Sequence, residues 1–368
     1  MSKNKKNLGQ FYTTNYKYIL QNFKIPDGIK KVIEPFVGNG DLINFLFETN
    51  NSLFNNFEIE CYDIDSKKNK LQFESSSLID IIIEKRDTLL NPPSYKDKFV
   101  ITNPPYLARN KSKNKEAFDK YDVNDLYKCF IINIINDKCQ GGILIIPLNF
   151  WSSIRNMDIQ LRKKFLEIYD VLLINIFEEK VFDDTSYTIC SFIFSRKENN
   201  IQDVKIKVDI YPKKLRNDED SSFEIKLNED NNYTFGGEIY NLNIGTKYTV
   251  NRLIKGDKKN TNILVKCIDD NLNNKINMKI VDDDNIYIDD TPNKTARTYA
   301  TLSISPHINI TKQKKLVDKF NKLLNEYRTK YNSLFLANYR ESKDIARKRI
   351  SFELIYRIVN HILTDMRD

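Results

Sequence analysis

The sequence predicts an α/β chain. Its first half should form an open, mostly parallel sheet with helices on both faces, and a smaller α+β domain should come after it. Three observations predict this. Short β-branched runs alternate with helix-length amphipathic stretches, the pattern of β-α-β units. The strand at 31–34 runs through Gly38 and Gly40 into a helix starting near Asp41, so glycine lets a ligand approach where helix N–H groups are exposed. The run Phe99-Val100-Ile101 stops abruptly at Asn103-Pro104-Pro105-Tyr106. Pro104 keeps Asn103 out of helical space, and two prolines stiffen the turn.

Taken in order, residues 16–23 carry helical spacing, with Thr14 or Asn15 as cap. The glycine turn after 31–34 is not Gly-x-Gly-x-x-Gly, which argues against a dinucleotide pocket. Residues 58–62 form the second strand, with Asp63 at its carboxyl end. An acid about twenty residues past a glycine loop is placed to meet a ribose hydroxyl pair. Asp65 is the alternative, although a helix cap explains it better. The apolar stretch 78–84 leads to Asp87-Thr88-Leu89, where an acid could equally be a turn residue.

Residues 109–115 are polar, basic and aperiodic, which predicts a mobile loop. Its Arg109, Lys111 and Lys113 either close over phosphates or simply face water. Helical spacing returns at Leu126, Phe130, Ile131 and Ile134, and Gly141-Gly142 turns the chain into a strand at 143–147. Trp151, the only tryptophan, is expected in the core or at its rim. An amphipathic helix at 157–168 precedes strands at 170–177 and 187–196, a hairpin that closes the sheet.

The polar stretch 197–203 predicts a boundary, dividing the chain into 1–198 and 199–368. Beyond it, 204–211 and 223–227 alternate like strands with one exposed face. The Asn- and Asp-rich stretch 269–290 lacks the spacing of a Ca²⁺ helix–loop–helix site and reads as solvated loop and hairpin. Residues 297–301 precede a strand-like run at 302–305. A helix at 312–334 buries Leu316, Phe320, Leu323, Tyr327 and Tyr331, and a second at 342–363 buries Ile350, Leu354, Ile358 and Ile362. Between 312 and 349 stand twelve Lys or Arg against four Asp or Glu. Arg340, Arg347, Lys348 and Arg349, close to Tyr339, are the densest part. A basic, aromatic-bearing segment of this kind fits contacts to a nucleic-acid backbone.

Bulk composition narrows the function classes. The net charge of +8 and pI near 8.9 mildly favour a polyanionic partner. The five cysteines form no Cys-x-x-Cys pair and read as reduced core residues, so a cytoplasmic protein is expected. His307 and His361 are the only histidines, which argues against a multi-histidine metal site or a His-based triad. No apolar run reaches the length that spans a bilayer, and no hydrophobic signal region comes after the basic start.

The Asn-Pro-Pro-Tyr turn carries the sharpest chemical signal. An aromatic amino nitrogen is a poor nucleophile because its lone pair is delocalised into the ring. If Asn103 Oδ1 and the Pro104 carbonyl each accept one N–H, the nitrogen is drawn toward tetrahedral geometry and its lone pair localises. Tyr106 would stack on the base.

In order along the chain stand Gly9-Gln10-Phe11-Tyr12-Thr13, Glu34-Pro35-Phe36-Val37-Gly38-Asn39-Gly40, Tyr62-Asp63-Ile64-Asp65, Asp87-Thr88-Leu89 and Asn103-Pro104-Pro105-Tyr106. This ordered set resembles the γ-class N6-adenine DNA methyltransferases of type II restriction–modification systems. The resemblance covers the first half well and the remainder more weakly, as a target-recognition region. It implies a seven-stranded Rossmann-like sheet and S-adenosyl-L-methionine as cofactor. It implies that Gln10, Tyr12 and Thr13 hold the methionine end, that Pro35, Phe36, Gly38 and Gly40 form the cofactor loop, and that Glu34 sits near the cofactor's positive end. Asp87, with Thr88, would meet the cofactor's adenine amino group. Tyr187, or else Phe182, would face the base from the side opposite Tyr106. The implied partners are double-stranded DNA, with a flipped-out adenine, and a cognate restriction endonuclease; no membrane and no metal are implied. Rivals are N4-cytosine, ribosomal-RNA or protein-glutamine methylation, which share related motifs, and a silent DNA-binding regulator.

Overall fold

A computed structural model describes residues 9, 11–49, 58–65, 70–73, 79–182, 185–198, 205–213, 221–271, 273–290, 298–339 and 344–366, with the backbone alone at 70–73 and 79–82. Gln10, Arg297, Arg340 and the 199–203 part of the expected boundary lie outside the described residues. The chain divides into two compact units, Met1–Phe150 with Gln160–Lys226, and Trp151–Ile159 with Leu227–Asp368.

The first unit is built on β1 (Lys31–Glu34), β2 (Glu58–Asp63), β3 (Lys70–Phe73), β4 (Ile79–Lys85), β5 (Phe99–Thr102), β6 (Gly141–Pro147), β7 (Tyr169–Phe177), β8 (Ile189–Arg196), β9 (Ile206–Tyr211) and β10 (Ser222–Ile225). They form one sheet in the order β10-β9-β7-β8-β6-β5-β1-β2-β4-β3. β1 pairs in parallel with β2 and β5, β2 with β4, and β5 with β6. β8 lies antiparallel between β6 and β7, so the expected hairpin does close a parallel core. The strand order reverses at β1, and the crevice beside the carboxyl ends of β1 and β5 is where open α/β sheets bind ligands.

β5 and β6 are buried at every residue, as their β-branched runs require. Between and after the strands lie α1 (Asp41–Thr49), α2 (Glu116–Tyr121), α3 (Leu126–Asp137) and α4 (Asn156–Ile168), the last beginning in residues that group with the second unit.

Four sequence expectations change here. Among the described residues the sheet has ten strands rather than seven: β3, β9 and β10 extend a contiguous core of seven. The compact units therefore part at Lys226 and Leu227 rather than at 198. The strands on either side of the polar stretch 197–203, β8 and β9, belong to one sheet. β9 is an inner strand, paired with β7 and β10, and is buried at all but Lys207, so it does not carry one exposed face. The helix expected at 16–23 is a single turn, Tyr16–Ile19, and Asn22 has left helical space with φ +68°.

The second unit has an antiparallel sheet of β11 (Thr249–Arg252), β12 (Ile263–Lys266), β13 (Asn277–Ile280) and β14 (Tyr299–Ser305), in the order β11-β14-β12-β13. α5 (Ile310–Tyr331) buries Leu316, Val317, Phe320, Leu324 and Tyr331, and Asn309 caps it by accepting from Lys312 N. The second helix is much shorter than expected. Ala337–Tyr339 and Arg347–Arg349 pair as β15 and β16, and α6 (Phe352–Asp365) starts only after Ser351, whose hydroxyl accepts from Leu354 N. The apolar period extended upstream through Ile350, but a serine cap sets the start. Among the described residues no helix is long and apolar enough to cross a membrane, and no group of three His, Cys, Asp or Glu could hold a metal ion.

Candidate active site

The turns after β1, β2, β4 and β5 each bring residues to the same crevice. A cavity of about 340 Å³ opens there, lined by Tyr12, Phe36, Gly38, Asp63, Asp65, Asp87, Thr88 and Asn103 among others. That volume lies within the roughly 300–1,000 Å³ of small-molecule sites. Residues far apart in sequence meet because β1, β2, β4 and β5 are hydrogen-bonded neighbours pointing the same way.

The glycine turn after β1 is held from below. Glu34 is buried, and its Oε1 accepts from Phe36 N and from the Thr102 hydroxyl on β5. Burial pushes its carboxyl up to about 8, despite those two bonds. Glu34 is not among the cavity residues, so the structure makes it a brace of the turn rather than a wall of the site; Pro35 and Gly40 are likewise buried off the cavity. Gly38 has φ +55°, and a Cβ there would come within 3.3 Å of the Tyr12 ring. Asp63 accepts from Gly38 N at 3.0 Å and from Asp65 N at 2.7 Å. It thus ties the ends of β1 and β2 together while lining the cavity, and Asp65 stands exposed beside it.

Asp87 accepts from Leu89 N and Leu90 N, both at 3.1 Å, so it shapes its own turn as well as facing the cavity. The Thr88 hydroxyl donates to Pro35 O. These groups fit an adenosine-like ligand: two or three carboxylates for hydroxyl and amino donors, and Tyr12, Phe36, Leu89 and Phe118 for flat apolar surface.

At the other end lies the Asn-Pro-Pro-Tyr turn. Asn103 Nδ2 donates to Phe11 O at 2.9 Å and to Thr13 Oγ1 at 3.0 Å, and Tyr106 N donates to Gly9 O at 3.0 Å. The Tyr106 hydroxyl bonds Asn103 Oδ1 and Ile145 O. Tyr106 is 1 % exposed, so its ring is not the open platform the sequence suggested. Pro104 is buried, Pro105 lines the cavity, and Thr13 is buried against Asn103 rather than in the cavity wall.

Tyr187 meets Tyr106 edge to face, with centroids 6.2 Å apart and planes at 79°, so it does not offer a parallel face. Phe182 instead stacks on Phe11. Neither aromatic lines the cavity. Arg109 pairs with Asp119 and forms a short 3-10 turn, Arg109–Lys111; Lys115 caps the segment on the carbonyls of Arg109 and Ser112, so it has defined local structure instead of an aperiodic loop. Lys111 and Lys113 are exposed and line the cavity mouth.

Two residues escaped the sequence reading. Phe11 stacks on Tyr106, with centroids 5.2 Å apart and planes at 21°. Asp125 accepts from Leu107 N at 3.1 Å and from the Tyr187 hydroxyl at 3.2 Å, tying the residue after Tyr106 to the hairpin. Burial pushes its carboxyl up to about 6, against the pull of Lys128. An acid just ahead of a helix reads as a cap, and no sequence signal separates the two roles.

In the second unit the basic cluster is partly consumed. Arg347 forms a bidentate pair with Asp269 at 2.6 and 2.9 Å, and Lys348 is 3 % exposed. Lys348 is taken up inside the unit, whereas Arg347, on the opposite face of β16, stays half-buried and is engaged by Asp269. Arg349 is exposed and, like Arg347, lies 5.5 Å from the centre of the Tyr339 ring.

The sequence matches no family profile and no curated protein. Among solved structures it is similar to a modification subunit of a putative type I restriction enzyme from Vibrio vulnificus YJ016, with 13 % identity over 55 % of this chain and 47 % of that one and a TM-score of 0.41. It is also similar to a type I restriction–modification methyltransferase subunit from Streptococcus thermophilus (12 % identity, 56 % and 49 % covered, TM-score 0.39). A third is a putative class I S-adenosylmethionine-dependent methyltransferase from Listeria monocytogenes (12 % identity, 53 % and 61 % covered, TM-score 0.36). This chain thus spans about half to three-fifths of their lengths. A likeness this partial carries no statement about activity.

Proposed function

We propose that the protein is an S-adenosylmethionine-dependent methyltransferase acting on N6 of an adenine turned out of duplex DNA. The observation that carries this reading is the meeting of Asn103, at the end of β5, with Gly38, Asp63 and Asp87, at the ends of β1, β2 and β4, around one cavity. S-adenosylmethionine would supply the methyl group from its sulfonium and leave as S-adenosylhomocysteine. Tyr12, Phe36, Gly38, Asp63, Asp65, Asp87 and Thr88 would hold it.

Asn103 Oδ1 and the Pro104 carbonyl would accept the two amino N–H groups and localise the nitrogen lone pair. Neither is a strong base, so the proton lost after transfer passes to water. The target nitrogen is inaccessible in a stacked pair, so the base must rotate into the site. Lys111 and Lys113, exposed and lining the cavity, and Arg349, exposed in the second unit, would contact phosphates. Gln10, Arg109, Arg340, Arg347 and Lys348 are not assigned a ligand contact. Protection of DNA from a cognate endonuclease is the physiological role that fits.

Tritium transfer from labelled S-adenosylmethionine tests this. Label should enter adenine of unmethylated genomic DNA, and Asn103→Ala should lower the rate by at least about a hundredfold, as loss of a positioned polar contact does. Label in RNA or protein but not DNA would reassign the substrate. Tight DNA binding without transfer would identify a regulator.

A further inference from the structure

Three rings lie in a row at the Asn-Pro-Pro-Tyr turn. Phe11 stacks on Tyr106 at 5.2 Å and 21°, and on Phe182 at 6.2 Å and 28°. Its ring therefore sits between the tyrosine that should stack on the target base and an aromatic from the β7–β8 connection. Phe11 also lines the cavity and is only half-buried. Tyr106, by contrast, is 1 % exposed. A base stacked on that face of Tyr106 would have to displace Phe11.

The same segment engages Asn103. The Phe11 carbonyl and the Thr13 hydroxyl take both hydrogens of the Asn103 amide, which aims Oδ1 at the Tyr106 hydroxyl. Gly9 packs closely on the turn: its carbonyl accepts from Tyr106 N, and a Cβ on it would lie 2.6 Å from Tyr106 O. Rotation of the Phe11 side chain alone would uncover that tyrosine face while the Phe11 carbonyl and Thr13 hydroxyl still hold the amide.

We infer that Phe11 is a gate residue that occupies the place of the target base and must swing aside for a purine ring to stack between Tyr106 and Phe182. The inference rests on the methyltransferase reading and adds a residue to its substrate pocket. Phe11 stacks in the closed arrangement because two flat apolar faces left bare would each hold ordered water. An incoming purine replaces one aromatic stack by another, so opening exchanges contacts rather than losing them. Phe11 thereby sets how readily non-target ligands enter.

The test uses 2-aminopurine riboside, whose fluorescence falls on stacking, with saturating S-adenosylhomocysteine to fill the cofactor end. Phe11→Ala should bind it about tenfold more tightly than the parent protein, and Phe11→Leu, which keeps apolar volume without a flat ring, should fall between. Adding Tyr106→Ala to Phe11→Ala should abolish the gain. Equal or weaker binding by Phe11→Ala and Phe11→Leu, with thermal melting unchanged, would overturn the gate. Should Phe11→Ala fail to fold, Phe11→Leu alone decides, since a gate predicts tighter binding and a core residue does not. Tritium transfer by the parent protein separates the two failures. Transfer with no gain in the variants sinks only the gate, whereas no transfer and no S-adenosylhomocysteine binding sinks the methyltransferase reading and the gate with it.

Discussion

Asp125 stands in an environment that its position ahead of a helix does not suggest. It is buried, bonded to Leu107 N and the Tyr187 hydroxyl, and its carboxyl is raised to about 6 from an ordinary 3.8. A raised carboxylate binds its proton more tightly folded than unfolded. Its contribution is therefore fully present below about pH 4 and is lost as pH rises through about 6. The shift corresponds to about 3 kcal/mol, an order-of-magnitude figure. Asp125→Asn keeps the shape without the charge. Chemical denaturation should show the variant gaining on the parent protein between pH 4.5 and 7; a constant difference across that range would refute the assignment. Glu34 has the same sign over a wider window, its share falling between about pH 4.5 and 8.

At the scale of elements, charge decides what apolar periodicity leaves open. Asp270 is 4 % exposed and receives Arg328 from α5, the Ser333 hydroxyl and Ile276 N. Burial opposes its ionisation, yet these donors hold its carboxyl below the usual range. This group pins the end of α5 to the loop before β13. Arg328→Ala would leave a buried carboxylate without its cation and should cost the second unit about 3 kcal/mol. Urea titration followed by circular dichroism would read it, and a loss under about 1 kcal/mol would show that the pair is solvent-screened. The same logic explains β16: Arg347 meets Asp269 and holds the segment as a strand, and Ser351 starts α6 just past the end of that strand.

For the whole molecule, the sheet sets the boundaries. β9 pairs with β7 along five registered positions and buries Ile206, Val208, Ile210 and Tyr211. A chain cut after residue 198 would bare that edge of β7 and the apolar side chains it faces, an invitation to edge-to-edge association. A chain cut after 226 retains all ten strands. Size-exclusion chromatography should find the 1–198 fragment aggregated and the 1–226 fragment more nearly monodisperse. Equal behaviour would mean that β9 and β10 are dispensable to the sheet.

Much of the fold was legible because local rules govern it. β1, β2, β5, β6 and the start of α1 fall where β-branched runs, paired prolines and glycines place them, since such residues restrict the backbone whatever surrounds them. The five short motifs likewise identified the crevice residues Asn103, Gly38, Asp63 and Asp87. Less was legible where a residue's role depends on partners distant in sequence. Whether Lys348 faces water or the interior, whether 204–211 opens a new domain or extends an old sheet, and whether Phe11 lies on Tyr106 are settled by strand pairing and ring packing across tens of residues. The sequence by itself determined where the chain must turn and which polar groups end its strands. Only the tertiary structure decided which of those groups are already engaged, because hydrogen bonds and stacking form between surfaces that the order of residues does not bring together.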